Sequence, residues 1–175
     1  MTSEAADGVE ASESRARVGQ SEMALAIYAA ITLMGVIAAA SWKGMFANDQ
    51  ELLVIIGGTS VTIAVAHLWA AVAAHRVARR RPFNSAERSH ELRNSAAILM
   101  VGVLAIAVLA ITWRLGADLE TSIRFVLGMM IAVLFAVGVI GARREKRSWP
   151  VSIGWGLIDS SIGLVLLLLK IFVSG

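Results

Sequence analysis

His67 and Asp159 are two ionisable side chains that lie deep inside long apolar segments of this sequence. An ionisable group in the middle of a bilayer is costly, so it usually has a partner or a functional role. His67 lies eight residues before His75, at the end of its segment. Asp159 lies nine residues after Pro150, at the start of its segment, so both are about 12 to 14 Å from the same membrane face at helical rise. We therefore predict that the two side chains pair, either as a proton-coupling site or as a hydrogen bond that only locks two helices.

Five apolar segments must position these two residues. The chain has 175 residues, of which 57% are hydrophobic, and its mean hydropathy is +0.72. About twenty residues in a helix cross the hydrocarbon core of a membrane, and a helix pairs every backbone polar group there. We therefore predict an all-α integral membrane bundle over residues 22–175, with five transmembrane helices. The predicted spans are 23–42, 52–74, 95–113, 125–142 and 150–173.

The segment before the first span is polar and mixed in charge, with several acidic residues followed by Arg15 and Arg17. It holds too few apolar side chains to build a core, so we predict that residues 1–21 form a disordered cytoplasmic tail. An alternative stays open for the first span. Ala38, Ala39 and Ala40 resemble a signal-peptidase site after an apolar stretch, and cleavage there would leave four spans.

The orientation of the spans follows from lysine and arginine, which are enriched in cytoplasmic loops. Twelve of the 16 lie in the tail, in the loop between spans two and three, and in the loop between spans four and five. The other four, on the opposite side, are Lys43, Arg114, Arg124 and Lys170. We therefore predict a cytoplasmic N-terminus and a C-terminus on the outside.

Small residues on one face of a membrane helix allow a second helix to approach closely. On a helical wheel, small and polar residues of the fifth span share the face of Asp159, and those of the second span share the face of His67. The fourth span has a small residue every four positions from Gly128. The third span has few such residues, so we expect it to be the helix most exposed to lipid. The predicted packing residues are Ser60, Gly128, Gly156, Ser160 and Gly163.

The loop between the second and third spans is long and basic. Asn84 followed by Glu87 has the spacing of a capping box, so we predict that the third helix begins near Ser85. The arginines before Pro82 could attract anionic lipid headgroups at the cytoplasmic face, or they could serve only to fix the topology. These candidate lipid contacts are Arg76, Arg79, Arg80 and Arg81.

The residues and motifs needed for several kinds of chemistry are absent from this sequence. There is no cysteine, so disulfides, thiolate catalysis and cysteine metal sites are excluded. The three histidines do not have the spacing of a metal-binding motif, and no nucleophile elbow or phosphate-binding loop is present. Basic and aromatic residues are not interleaved as in proteins that bind single-stranded nucleic acid. We therefore expect no enzymatic activity, no cofactor, no metal site and no nucleic-acid partner.

Two segments and the basic loop between them carry a resemblance. AVAHLWAAVAAHR, residues 64–76, and GLIDSSIGLVLLLLK, residues 156–170, resemble segments of small multi-spanning membrane proteins of unknown function from high-GC Gram-positive bacteria. The resemblance covers spans two to five and implies a bacterial plasma-membrane location, without implying an activity or a site.

Two functions follow as hypotheses. The first is an accessory or structural membrane subunit that acts through helix packing, with the lipid bilayer around it and a second copy or another membrane protein as its partner. The second is a proton-coupled small transporter or pore that uses the pair of His67 and Asp159. A polar cavity that reaches these residues would favour transport, and a dry helix contact would favour packing.

Overall fold

A computed structural model describes residues 3–79 and 84–174, which form five helices and no strand. The helices are α1 (Ser3–Trp42), α2 (Asp49–Arg79), α3 (Ser85–Arg114), α4 (Leu119–Arg144) and α5 (Trp149–Ser174). Four of them contain segments that are long and apolar enough to cross a membrane: Ser21–Ser41, Asp49–Ala78, Ser85–Arg114 and Leu119–Arg144. The prediction of an all-α fold with membrane-capable helices is confirmed.

The first helix begins earlier than the sequence predicts. α1 runs without a break from Ser3 to Trp42, whereas the composition of residues 1–21 predicts disorder. Alanine, glutamate and arginine, which favour helix, are frequent in this segment. Extending the helix of the first span also avoids the cost of nucleating a new one. The membrane-capable part of α1 begins at Ser21, close to the predicted start at residue 23.

α1 is the central helix of the bundle, because it packs against each of the other four. Among the other helices, the most extensive contacts join α4 to α5 and α2 to α3, and α3 also packs against α4. α2 and α5 therefore lie at the two ends of the series α2–α3–α4–α5. The fully buried side chains of α1 at its contacts are Ala29, Ala30, Leu33, Met34 and Ile37.

α3 is packed more deeply than the sequence predicts. It contacts α1, α2 and α4, and it has the largest buried share of the four membrane-capable helices, so the expectation that it is the helix most exposed to lipid is wrong. Its buried residues recur every seven positions, which keeps them on one face as in a coiled coil. One row is Ser95, Gly102 and Leu109, and the other is Ile98, Ala105 and Thr112. A few small residues are enough for close helix packing when their spacing places them on one face of the helix.

The local sequence sets the helix ends. Asn84 forms a full capping box, in which its side chain accepts from the Glu87 N–H at 2.8 Å and its own N–H donates to the Glu87 carboxylate at 3.0 Å. The predicted start of α3 near Ser85 is confirmed. After α1, α3 and α4 the chain turns through one residue in the left-handed region, which glycine adopts without the steric cost that a lysine meets. These residues are Gly44, Gly116 and Lys146.

One end of the bundle gathers the start of the membrane-capable part of α1, the α2–α3 connection and the α4–α5 turn. Ser21 of α1 hydrogen-bonds Asn94 of α3 at 3.1 Å. Arg144, the last residue of α4, donates to the sulfur of Met23 at 4.0 Å. We call this the basic end, because the segments that meet here carry most of the lysines and arginines.

Candidate functional site

Glycines bring α4 and α5 into backbone contact. A Cβ added to Gly138 of α4 would lie 2.9 Å from the Cα of Gly156 on α5. A Cβ added to Gly156 would lie 2.8 Å from the carbonyl oxygen of Phe135. Further along α5, a Cβ at Gly163 would lie 2.9 Å from the terminal methyl of Met34 on α1. Small residues permit such close approach of membrane helices.

This contact positions Asp159, which lies one turn after Gly156 on α5. Its carboxylate stands over Gly138, where an added Cβ would lie 2.5 Å from Oδ2. Asp159 is half-buried, and no described side chain or backbone group forms a hydrogen bond or an ion pair with it. The carboxylate therefore fits here because Gly138 has no side chain.

A cavity of about 390 Å³ opens beside Asp159, between α1, α4 and α5 at the basic end. We call it the Asp159 cavity. Apolar and small residues of α1 and α4 form most of its wall, and two exposed charged residues of the α4–α5 turn form its mouth. Its lining includes Met23, Ile27, Gly138, Glu145, Arg147, Trp155 and Asp159.

Arg147 is held at the mouth of the Asp159 cavity by two contacts. Its Nε donates to Oε2 of Glu145 at 2.8 Å. Its guanidinium carbon lies 5.6 Å from the centre of the Trp155 ring, within the range of a cation–π contact. The mouth thus holds a cation between a carboxylate and an indole ring.

His67 lies in a separate polar cluster that joins α1, α2 and α3. Its Nε2 is shielded from solvent and lies 3.4 Å from Oε2 of Glu91, an ion-pair distance without the alignment of a hydrogen bond. The same oxygen of Glu91 accepts from the side-chain amide of Asn94 at 3.3 Å. Asn94 is buried and also accepts from Ser21 of α1. We call these four residues the α2–α3 polar cluster, which ties three helices together.

A related contact lies nearer the α2–α3 connection, where Nε2 of His75 is 3.7 Å from Oε2 of Glu87. Residues at similar distances from the connection of an antiparallel helix pair face each other, so the two glutamates of α3 meet the two histidines of α2. The sequence feature that could have identified Glu91 is therefore the capping box at Asn84, because it fixes where α3 begins. A helix that begins at Ser85 carries Glu87 and Glu91 on one face, one turn apart.

The predicted pair of His67 and Asp159 is not formed. α2 packs against α3 and α1, whereas α5 packs against α4 and α1. His67 consequently faces Glu91, and Asp159 faces Gly138. Matching depth fixes the height of a residue in the membrane, but it does not fix the order of the helices around the bundle, and this order separates the two residues.

The other predicted packing residues divide between contacts and surface. Ser60 is buried against Gly102 of α3, where an added Cβ would collide with the serine hydroxyl. Gly128 has nothing within 4 Å of an added Cβ. Ser160 is half-exposed, and its hydroxyl donates to a carbonyl of its own helix at 3.1 Å. The packing side of α4 is therefore the side of Gly138, and the row that starts at Gly128 faces outward.

Of the candidate lipid contacts, Arg76 is exposed near the basic end of α2. It forms no hydrogen bond or ion pair with another described residue, so its charge is available to solvent or to headgroups. Arg80 and Arg81 lie outside the described residues, as does the side chain of Arg79.

The described chain has the architecture of an α-helical multi-pass membrane protein. Four of its helices, α1 to α4, are membrane-capable, and α1 lies at the centre of the bundle. Its polar side chains gather in the Asp159 cavity and in the α2–α3 polar cluster. Neither a protein-family model, nor a curated protein, nor a solved structure matches the chain.

Proposed function

We propose that the chain is a plasma-membrane protein of five spans that works as an accessory or structural subunit, through contacts of its outward-facing helix surfaces. α5 would supply the fifth span. It is a helix of 26 residues with an apolar sequence, and helical rise gives it a length of about 39 Å, enough to cross the hydrocarbon core.

A row of small residues on the outer face of α2 carries this proposal. Its members recur every four residues, which turns each one about 40° from the last, so three successive members share one face, and each of them is exposed. α2 is also the least buried of the four membrane-capable helices. We call this row the α2 ridge: Gly58, Thr62 and Ala66.

The α2 ridge favours a helix partner over lipid alone. Lipid tails are as apolar as leucine, so contact with lipid gives no reason for small residues, whereas helix pairs gain van der Waals contact from them. An added Cβ at Gly58 would have nothing within 4 Å, so the ridge is open to an approaching backbone. Two identical rows of small residues are self-complementary about a two-fold axis. The partner we propose is therefore α2 of a second copy of the chain.

Cysteine cross-linking tests this contact, because the chain has no cysteine of its own. We expect an Ala66→Cys variant to form a covalent dimer of the 18.6 kDa chain when its membranes are oxidised, since the two ridges would lie face to face. The readout is the band pattern on a non-reducing gel. An Ala107→Cys variant is the matched control, because Ala107 is exposed on α3 instead. Equal cross-linking of the two variants, or monomers only, would contradict the proposed partner.

The proposed orientation places the basic end in the cytoplasm, since lysine and arginine are retained there. We expect a reporter fused after Gly116, in the α3–α4 turn, to read outside, and one fused after Glu145, in the α4–α5 turn, to read inside. In this orientation Arg76 meets the anionic headgroups of the cytoplasmic leaflet. Reversed readings of the two fusions would overturn the orientation.

A second candidate function, a proton-coupled small transporter or pore, is favoured by one observation, the cavity that reaches Asp159. A carboxylate beside a cavity can exchange protons with water that enters it. His67 would take no part in this transport function, because it contacts Glu91 and not Asp159. The two candidates differ in what they need from Asp159. An Asp159→Asn variant would keep the contacts of a subunit, but it would end proton exchange, because an amide does not titrate.

A further inference from the structure

We propose that the Asp159 cavity binds a monovalent organic cation, in which an ammonium-type group is attached to an apolar body. This inference does not depend on the proposed subunit role, because it concerns α1, α4 and α5, whereas the subunit contact lies on α2. It names a ligand class for a carboxylate that the fold leaves without a partner.

Among the charged residues that line the cavity, one negative charge is left without a partner. Arg147 and Glu145 pair with each other at the mouth, at 2.8 Å. Asp159 is half-buried and forms no hydrogen bond or ion pair with any described residue. Burial of an unpaired carboxylate is costly. A single positive charge in the cavity would pair with it, so the site is matched to a monocation.

The wall of the cavity suits a cation with an apolar body. Met23, Ile27 and Val137 supply apolar surface, and Trp155 supplies an aromatic ring. Organic cations gain from contact with an indole face, and their carbon atoms gain from apolar walls. A hard metal ion instead needs several oxygen ligands. Among the described residues, no group of three or more His, Asp or Glu side chains could hold a metal ion.

The arrangement of α5 places the two recognition groups together. Trp155 and Asp159 are four residues apart, so they lie on the same face of the helix, one turn from each other. The guanidinium of Arg147 already lies 5.6 Å from the ring centre of Trp155, which shows that this ring is accessible to a cation at the mouth. Asp159 lies farther from the mouth of the cavity than Trp155 does. A ligand cation would lie between the indole and the carboxylate, inside the position of Arg147.

The size of the cavity limits the ligand to one small molecule. Its volume of about 390 Å³ lies at the lower end of ligand sites, which span about 300–1,000 Å³. Two sources of the same chemistry fit this volume. One is a free amine or quaternary ammonium compound, and the other is the ammonium headgroup of an ethanolamine lipid.

Calorimetric titration of the full-length chain in maltoside micelles with benzyltrimethylammonium chloride tests the proposal. We expect saturable one-to-one binding, and at least a tenfold loss of affinity in Asp159→Asn, about 1.4 kcal/mol, because the amide offers no charge. Glu120→Gln is the matched control, since that carboxylate is exposed and pairs with Arg124 near the start of α4. Unchanged affinity in Asp159→Asn, or equal binding of the uncharged carbon isostere of the probe, would overturn the proposal.

A second variant pair keeps the test valid if Asp159→Asn does not fold. We expect Trp155→Leu to weaken binding of the same probe about three- to tenfold, which corresponds to a loss of about 0.6–1.4 kcal/mol for one cation–π contact. Trp69→Leu is its control, because Trp69 is 68% exposed on α2, away from the cavity. Equal affinities of these two variants would count against an aromatic contribution at this site and against the proposed ligand class.

Bilayer nanodiscs distinguish the two sources of the ammonium group. Binding of benzyltrimethylammonium is measured in phosphatidylglycerol alone and in a mixture with phosphatidylethanolamine, after subtraction of the Asp159→Asn background. Weaker binding in the mixture would identify the lipid headgroup as the occupant, since it would compete with the probe. Equal binding in both would identify a free cation. No saturable binding in either bilayer would overturn the proposal.

Discussion

Replacement of Gly156 by alanine is expected to destabilise the bundle by about 1–3 kcal/mol, the cost of overpacking a close contact. The added Cβ would lie 2.8 Å from the carbonyl oxygen of Phe135 and 2.7 Å from a methyl carbon of Val139. A backbone oxygen cannot rotate away as a side chain can. α4 and α5 must therefore separate, and the contacts around Asp159 separate with them. Thermal unfolding in detergent, followed by circular dichroism, measures the loss.

Gly154→Ala is the matched control for this prediction. Gly154 lies two residues away on the same helix, and an added Cβ there would have nothing within 4 Å. Because alanine favours helix over glycine, this variant should be as stable as the native chain or more stable, by up to about 1 kcal/mol. A similar fall in Tm for both variants would contradict the prediction, because Gly154→Ala adds no close contact between α4 and α5.

The sequence predicts the helices of this fold well, because the bilayer leaves few alternatives for a long apolar segment. It also predicts the start of α3, because the capping box at Asn84 is a local signal that needs no knowledge of the fold. The sequence does not predict how deeply α3 is buried in the bundle. Burial there depends on which helices stand on either side, and residues such as Gly102 and Thr112 look sparse until their neighbours are known.

The candidate site is harder to predict than the helices. Asp159 stands out from sequence alone, since it is an acid in an apolar segment, but its surroundings do not. α4 has small residues on two sides, one that includes Gly128 and one that includes Gly138, and only the position of α5 selects the second. His67 illustrates the same difficulty. Its partner Glu91 lies on the polar first turns of α3, outside the apolar segments of the sequence.

α1 connects the two polar regions of the molecule. Ser21 hydrogen-bonds into the α2–α3 polar cluster, and Met23 and Ile27, within the next two turns, line the Asp159 cavity. These positions lie in one continuous helix. A displacement of α1 along its axis would therefore change both regions together, whereas a change confined to the α4–α5 contact would alter the cavity alone.

Gly102→Ala is expected to destabilise the α2–α3 contact by about 1–3 kcal/mol. The new Cβ would collide with the hydroxyl of Ser60 and would lie 2.6 Å from its Cβ. Both atoms belong to the first part of a short side chain, so rotation about χ1 moves only the hydroxyl and leaves the Cβ clash. α2 must then shift away from α3, which would also open the nearby contact of His67 with Glu91.

The exchanged pair, Ser60→Gly with Gly102→Ala, is expected to regain most of the lost stability, because it moves the side chain from α2 to α3 and keeps the space between the helices filled. The hydroxyl of Ser60 donates only to the Ile56 carbonyl of its own helix, at 2.7 Å, so its removal leaves no partner on α3 unpaired. Ser60→Gly alone should cost about 0.5 kcal/mol through helix propensity. Thermal unfolding of the native chain, both single variants and the double variant gives the interaction energy, which we expect to exceed about 1 kcal/mol in the favourable direction. Additive losses in the double variant would show that these two residues do not meet across the α2–α3 contact.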